Sequence, residues 1–484
     1  MGLRAPAVVV ALLAVLLLPG PASADSGPAG ADVSVAQSLG DRELTVVLRR
    51  VTSVPGPLQV DVVSHAGGPA GQLTLGVAPQ DGPDPGVPAG RATLTLSMRP
   101  GPAAVTLPID RAGPWELSLA DGTHTARIPF VVHAVTPSPP ERYVYGGFVA
   151  AGVCLAVALV TGVVSRRVWA ALIPGAGVAA GVAVAIVAAL LSAAQPAPAQ
   201  SGADLDPTGA NASDPYAGAV RTTDHSRPPL TLALGRSSLP AAPRTIVDLS
   251  VTDAANGLPA DDLVVHDGGL MHLMVVTPGG TLQHLHPVRV APARFRVTVA
   301  TAEGGHYALA AEVARRGGGV QLLRTGFIVT GGVAKPVRAV PPRGSATIDG
   351  VPVQVALPDP VAGRPVTLRA RIGEEADLQP WLGMLGHLVV VGPGDAARDA
   401  PVWLHAHAMD AATAMDGTMA DMPAMVPMGT AAGATLPDET VAAYGPVVGF
   451  TLAFPQPGTY RLWVQAEKDY RVVTVPVTVA VRAA

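Results

Sequence analysis

His284 and His286 stand two apart in Leu282-Gln283-His284-Leu285-His286-Pro287. His405 and His407 repeat that spacing in Trp403-Leu404-His405-Ala406-His407. Along a β-strand residues i and i+2 share a face, so each His-x-His pair presents two imidazoles side by side. Each pair has a histidine upstream. His272 lies in Met271-His272-Leu273-Met274-Val275-Val276, ahead of Pro278-Gly279, and His387 lies in Gly386-His387-Leu388-Val389-Val390-Val391, ahead of Pro393-Gly394. With a three-residue turn at Pro278-Gly279-Gly280, Met274 pairs with His284 and His272 with His286, which puts all four on one face. A two-residue turn would bring Met271 there instead, because a one-residue slip reverses every side chain. Imidazole suits copper, zinc and nickel, and a thioether selects copper(I). The second copy adds thioethers directly after its His-x-His. Met409, Met415, Met419, Met422, Met425 and Met428 fall in 20 residues and are six of the chain's 11 methionines. Only small and polar residues, proline and one valine separate them, so the segment 409–428 reads as an exposed loop. The candidate ligands are therefore His272, Met274, His284, His286, His387, His405, His407 and these six methionines, with copper first and zinc second. His266 and His306 occur in one copy only. Tyr307, Tyr460, Trp381, Trp403 and Trp463 read as packing residues.

The elements that must position these residues are strands. The two histidine hairpins belong to an internal repeat. Each copy closes with a similar hairpin, from Gly305-His306-Tyr307 in the first and from Gly458-Thr459-Tyr460 in the second. The copies span 228–332 and 345–482 and read as tandem β-sandwiches. Residues 25–135 alternate in the same way, with Pro/Gly-rich turns between short strands, and suggest another sandwich. His65, His124 and His133 are scattered there and read as ordinary surface or strand histidines. The expected fold is thus a set of all-β extracytoplasmic domains, Ig-like or cupredoxin-like sandwiches, plus a two-helix transmembrane hairpin. The helices are expected at 143–164 and 168–193, each long enough to cross a bilayer. Gly177 and Gly181 form a small-xxx-small pair that lets the helices pack closely. Arg166 and Arg167 between them belong on the cytoplasmic side. Residues 1–24 read as a signal peptide, with Arg4, an apolar run and Ala22-Ser23-Ala24. Both soluble parts then lie outside the cytoplasm, and 194–227 is a flexible linker.

Composition narrows the chemistry further. The 484 residues carry a net charge of −4 and one cysteine, Cys154. An intramolecular disulfide, a thiolate zinc site and a blue-copper centre are all excluded. No basic block points to nucleic acid. Neither apolar stretch holds a charge at membrane depth, so the spans read as an anchor rather than a transport path. No GxSxG or HExxH motif occurs, and no enzyme is expected.

The combination of a secretion signal, sandwich modules, membrane spans, His-x-His hairpins and a methionine-rich loop resembles bacterial envelope copper-handling proteins of the CopC and YtkA-like types, over about 228–482. It is also similar to actinobacterial membrane proteins with a hairpin of the form MHLMVV…LQHLHP. The resemblance implies copper binding or delivery without catalysis, to a copper-receiving or envelope partner. One departure stands out: CopC-type proteins commonly bind copper(II) through a histidine at the mature N-terminus, where this chain has Asp25. The competing expectation is a non-catalytic envelope protein that scaffolds a partner, with histidines that serve structure.

Overall fold

Alternating apolar residues build most of this chain into antiparallel strands. The computed structural model describes residues 32–134 (apart from 50, 52 and 67), 139–165, 168–194, 212, 226–408 (apart from 395) and 438–484. The expected signal peptide, most of the expected linker, Arg166, Arg167 and the methionine-rich segment lie outside the described residues.

The first unit has two four-stranded sheets. One is ordered Val33–Leu39, Arg42–Leu48, Gly56–Ser64, Gly101–Ile109, and the other Gly90–Leu96, Gly71–Pro79, Gly113–Ala120, Thr125–Val132. In Gly113–Ala120 every second residue, Trp115, Leu117 and Leu119, is buried, as the period of two requires.

The two repeats share one plan. The outer sheet of the first is Val288–Ala291, Arg294–Thr301, Ala242–Asp253, Leu230–Leu234, and that of the second is Ser345–Ile348, Val351–Ala356, Pro365–Ile372, Val447–Ala453. The inner sheet of the first repeat pairs Gly319–Thr330, Gly305–Arg315, His272–Val276 and Leu282–Leu285 in that order. The second repeat matches it with Arg471–Val481, Gly458–Lys468, Gly386–Gly392 and Val402–Ala408. Tyr307 and Tyr460 are fully buried, and each hydroxyl bonds a backbone group four residues upstream.

His272–Val276 and Gly386–Gly392 are buried at every residue, so both of their faces are covered. One face meets the repeat's own core. The other faces the opposite repeat, across a cluster of Met274, Val276, Leu282, Val389, Val391, Trp403 and Trp463. Trp463 Nε1 donates across this boundary to Gly280 O at 3.1 Å. Burying a side chain of this size is worth about 1.5–3 kcal/mol each, so the inner sheets are held face to face mainly by apolar contact.

Two helices, Pro139–Val164 and Leu172–Ala194, are long and apolar enough to cross a membrane. A short 3-10 turn, Val168–Ala171, precedes the second, so the α-helix starts later than 168 and the first helix starts earlier than 143. Gly181 does sit at the helix contact. A Cβ there would lie 2.8 Å from Gly147 O, and one on Gly177 would lie 2.7 Å from Cys154 Sγ. Only glycine allows so close an approach.

Candidate metal centre

Register decides which side chains meet. Met274 pairs with His284 in the first repeat, the pairing that a three-residue turn requires. In the second repeat His387 pairs with His407 and Val389 with His405. All six histidines therefore point from the inner sheets into the gap between the repeats. They form one chamber, with neighbouring ring centroids from 4.4 to 6.5 Å apart. One ligand nitrogen from each of His272, His284 and His286 lies within 4.8 Å of the others, and the same holds for His284, His387 and His405. The second trio crosses the repeat boundary, and His284 belongs to both. Met274 occupies the register position that Val389 has in the second copy, and both are buried in the apolar cluster beneath the chamber. Met409, Met415, Met419, Met422, Met425 and Met428 lie outside the described residues; their segment begins directly after Ala408.

Each imidazole has one nitrogen turned outward to an oxygen. His272 Nε2 donates to His266 O at 3.0 Å and His387 Nε2 to Trp381 O at 3.2 Å. His284 Nδ1 faces Gln465 Oε1 at 3.0 Å, and His405 Nδ1 faces Glu312 Oε1 at 3.4 Å. His286 Nδ1 meets Glu43 Oε1 at 2.5 Å, and His407 Nδ1 meets Asp267 Oδ2 at 3.3 Å. These oxygen acceptors assign the proton to the outward nitrogen and leave a lone pair on the inward one. With all six rings in these neutral tautomers, His272 Nδ1 and His286 Nε2 face each other at 3.2 Å, and His387 Nδ1 and His405 Nε2 at 3.4 Å, each pair as two acceptors. His284 Nε2 and His407 Nε2 are buried without a partner. Two nitrogens bound to one ion at 2.0–2.1 Å in tetrahedral geometry lie about 3.3–3.4 Å apart. The spacing fits a transition-metal ion. Oxygen-bound outward nitrogens are also the supports that metal-ligating histidines use.

Burial, and then the neighbouring imidazoles, hold His272, His284, His387 and His407 well below the ordinary histidine range. They are neutral at neutral pH, the form that binds metal.

The supports are exchanged reciprocally between the repeats. His272 pairs with Glu312 across its sheet and His387 with Gln465. Glu312 then reaches His405 of the other repeat, and Gln465 reaches His284. The carbonyls that hold His272 and His387 come from equivalent tight turns. One is His266-Asp267-Gly268-Gly269 and the other Trp381-Leu382-Gly383-Met384, with positive φ at both central residues in each: 48° and 75°, then 56° and 75°. This is the geometry of a type I′ turn. Gly269 cannot carry a side chain, because a Cβ would lie 2.9 Å from His272 Nε2.

The first unit closes one end. Ser38 Oγ accepts from His286 N at 2.7 Å and donates to Glu43 at 2.6 Å, and Ala36 packs with Trp381 and Leu382. None of Ser38, Glu43, Gln465 and Glu312 was legible as part of a site, since nothing in their spacing links them to the histidines. His65 also departs from the expected ordinary strand histidine. It is buried between Thr45, Glu467 and Glu439, where the first unit meets the second repeat.

Residues 346–483 match a domain family of unknown function, DUF8832, which covers the second repeat with His387, His405 and His407. No curated protein matches the chain. Among solved structures, a Salmonella α-2-macroglobulin reacted with methylamine is 11% identical over 96% of this chain and 24% of its own, with a TM-score of 0.18. The chain thus spans about a quarter of that protein. The Escherichia coli adhesin FdeC is 12% identical over 95% of this chain and 99% of its own, with a TM-score of 0.14. A tetra-tandem repeat of a large adhesion protein is 9% identical over 93% and 74%, with a TM-score of 0.16. At these scores the likeness carries no functional information.

Proposed function

We propose that this chain is a membrane-anchored, extracytoplasmic metal-binding protein whose sandwich repeats clamp a transition-metal ion between them. The observation that carries the reading is the inward set of six imidazole nitrogens, four of them in two facing pairs at 3.2 and 3.4 Å. A cation satisfies such pairs, and no hydrogen bond between two acceptors does. Neutral imidazoles with neither thiolate nor carboxylate among them favour copper, with zinc second. The anchor is the helix pair, with its apolar length, and the soluble parts lie on the side to which a leader would deliver them. The role is copper tolerance or delivery. His284, common to both trios, lets an ion exchange between the repeats' ligand sets, and the methionines that follow Ala408 pass copper(I) to a receiving protein.

The test is a metal titration of the full chain in detergent micelles, beside a variant with His284→Ala and His405→Ala. Copper(I) and zinc affinities are read by competition with chromophoric chelators, and metal-free thermal stability is read in parallel. Sub-micromolar binding that weakens at least 100-fold in the variant supports the reading. A wild-type chain that binds neither metal more tightly than micromolar overturns it, and the histidines are then packing groups that join the repeats.

A further inference from the structure

Repeat symmetry reveals a difference between the two turns that cap the chamber, which lie against each other at Gly268 and Leu382. The turn that caps His387 carries Trp381 and Leu382, and the support on the neighbouring strand is Gln465. These are 2%, 0% and 3% exposed, so this half of the cap is closed to solvent. At the equivalent positions the first repeat has His266, Asp267 and Glu312. Their side chains are 31%, 29% and 13% exposed. Three residues able to ligate a metal thus stand where the other repeat has an indole, an isobutyl group and an amide.

They also converge. His266 Nε2 lies 3.1 Å from Asp267 Oδ2 and 4.0 Å from Glu312 Oε1, and one ligand atom from each falls within a 4.8 Å group. The same carboxylates touch the chamber. Glu312 Oε1 faces His405 Nδ1 at 3.4 Å, and Asp267 Oδ2 faces His407 Nδ1 at 3.3 Å. His407 Nε2, on the far side of that ring, is one of the buried nitrogens without a partner. The group is therefore continuous with the six imidazoles on one side and with solvent on the other.

We propose that His266, Asp267 and Glu312 form a second, outer cation site: the port through which a divalent metal ion passes from solvent to His405 and His407. The proposal rests on the chamber being a metal site. The division of labour follows from ligand chemistry. Two carboxylates give the mouth negative charge, which raises the local cation concentration and speeds capture. Oxygen ligands hold a borderline ion less firmly than the imidazoles within, so the ion moves inward. Capture and transfer are ligand exchange only, with no change of oxidation state. Rotation of His405 or His407 about its side-chain bonds would break the Nδ1–H contact to the carboxylate and turn the proton-free Nε2 to the ion, which exchanges a carboxylate for an imidazole with no proton lost.

The experiment uses the full chain in detergent micelles with zinc ion alone as the probe, and a triple variant His266→Gln, Asp267→Asn, Glu312→Gln. The amide oxygens at 267 and 312 keep acceptors for His407 and His405, as Gln465 does for His284, so orientation is retained while charge is lost. Equilibrium titration and stopped-flow loading are both recorded, at low and high salt. The expected result is the loss of one weak site, a tight site that persists but is weakened about 10-fold by the lost support charge, and loading at least 10-fold slower with a shallower salt dependence. A variant that keeps the wild-type number of sites and the wild-type loading rate overturns the port. Failure of the underlying reading looks different: wild type then has no tight site at all, and the outer trio is judged by its own weak site alone.

Discussion

Glu43 lies on a strand of the first unit, 243 positions from His286, yet its carboxylate meets His286 Nδ1 at 2.5 Å. Ser38 holds the other carboxylate oxygen at 2.6 Å and receives the His286 backbone N–H. The contact fixes the tautomer and ring plane of His286 and raises the electron density on the inward nitrogen. Changing such a support typically costs about 10–100-fold in metal affinity. Glu43→Gln, which keeps an acceptor but removes the charge, is expected near the lower end of that range, and Glu43→Ala near the upper end. Chelator competition on the full-length variants measures both. Equal affinity in all three proteins would remove Glu43 from the site. His284, His286, His405 and His407 were readable from sequence because a strand's period of two makes His-x-His a local statement, and His272 and His387 because they recur upstream of it in both copies, though their face depended on the turn. Glu43, Gln465 and Glu312 were not, because their role depends on which sheets meet, and no short-range pattern encodes that.

At the scale of elements, the chamber exists because two inner sheets stack. Trp463 sits in the contact, 2% exposed, with its indole N–H bonded to Gly280 O of the other repeat. Trp463→Ala removes that bond and leaves a large cavity, at a cost of about 3–5 kcal/mol. Because the trio of His284, His387 and His405 spans the boundary, metal affinity should fall together with stability, by at least 10-fold. Denaturant unfolding and a metal titration on the same protein check the pair of effects. A destabilised variant with wild-type affinity would mean that each repeat holds its metal alone. The strands and the repeat followed from alternation and turn residues. Doubly covered strands had a signal too: Leu273 to Val276 and Leu388 to Val391 lack the polar alternation that a half-exposed strand carries. The signal says that something covers the second face without saying what. The left-handed Leu382, φ 56°, is a further case. Leucine is a poor choice there, and only the carbonyl that Trp381 must offer to His387 explains the turn.

At the scale of the whole molecule, His65 joins the first unit to the second repeat. Its Nδ1 meets Glu467 at 2.5 Å, its Nε2 meets Thr45 at 3.0 Å, and Glu439 lies 3.8 Å away. Burial alone would lower its pKa. The hydrogen bond to Glu467 and the charges of Glu467, Glu439 and Glu43 outweigh that and carry it up to about 9. Burial raises Glu439 to about 7, against a partial opposing effect of His65. In both cases the folded state binds the proton more tightly than the unfolded chain, so the stability that each group contributes falls as pH rises through its window. For Glu439 the window runs from 4.5 to about 7, and for His65 from 6.5 to about 9. The contribution of protonated His65 is therefore complete below 6.5 and gone above about 9. The expected outcome is a thermal midpoint of the metal-free full chain that rises up to about pH 6.5, because the four imidazoles held well below the ordinary range bind protons only in the unfolded chain, and then declines to about pH 9 as His65 loses its proton. His65→Gln should flatten the decline above pH 6.5, and Glu439→Gln should steepen the rise below pH 7, whatever each does to the midpoint at pH 5. Both variants keep an acceptor or donor of similar size, so the slope against pH, rather than the absolute midpoint, reads the charge. A His65→Gln profile parallel to wild type between pH 6.5 and 9 would place the proton elsewhere and leave the junction between the first unit and the second repeat to apolar packing alone.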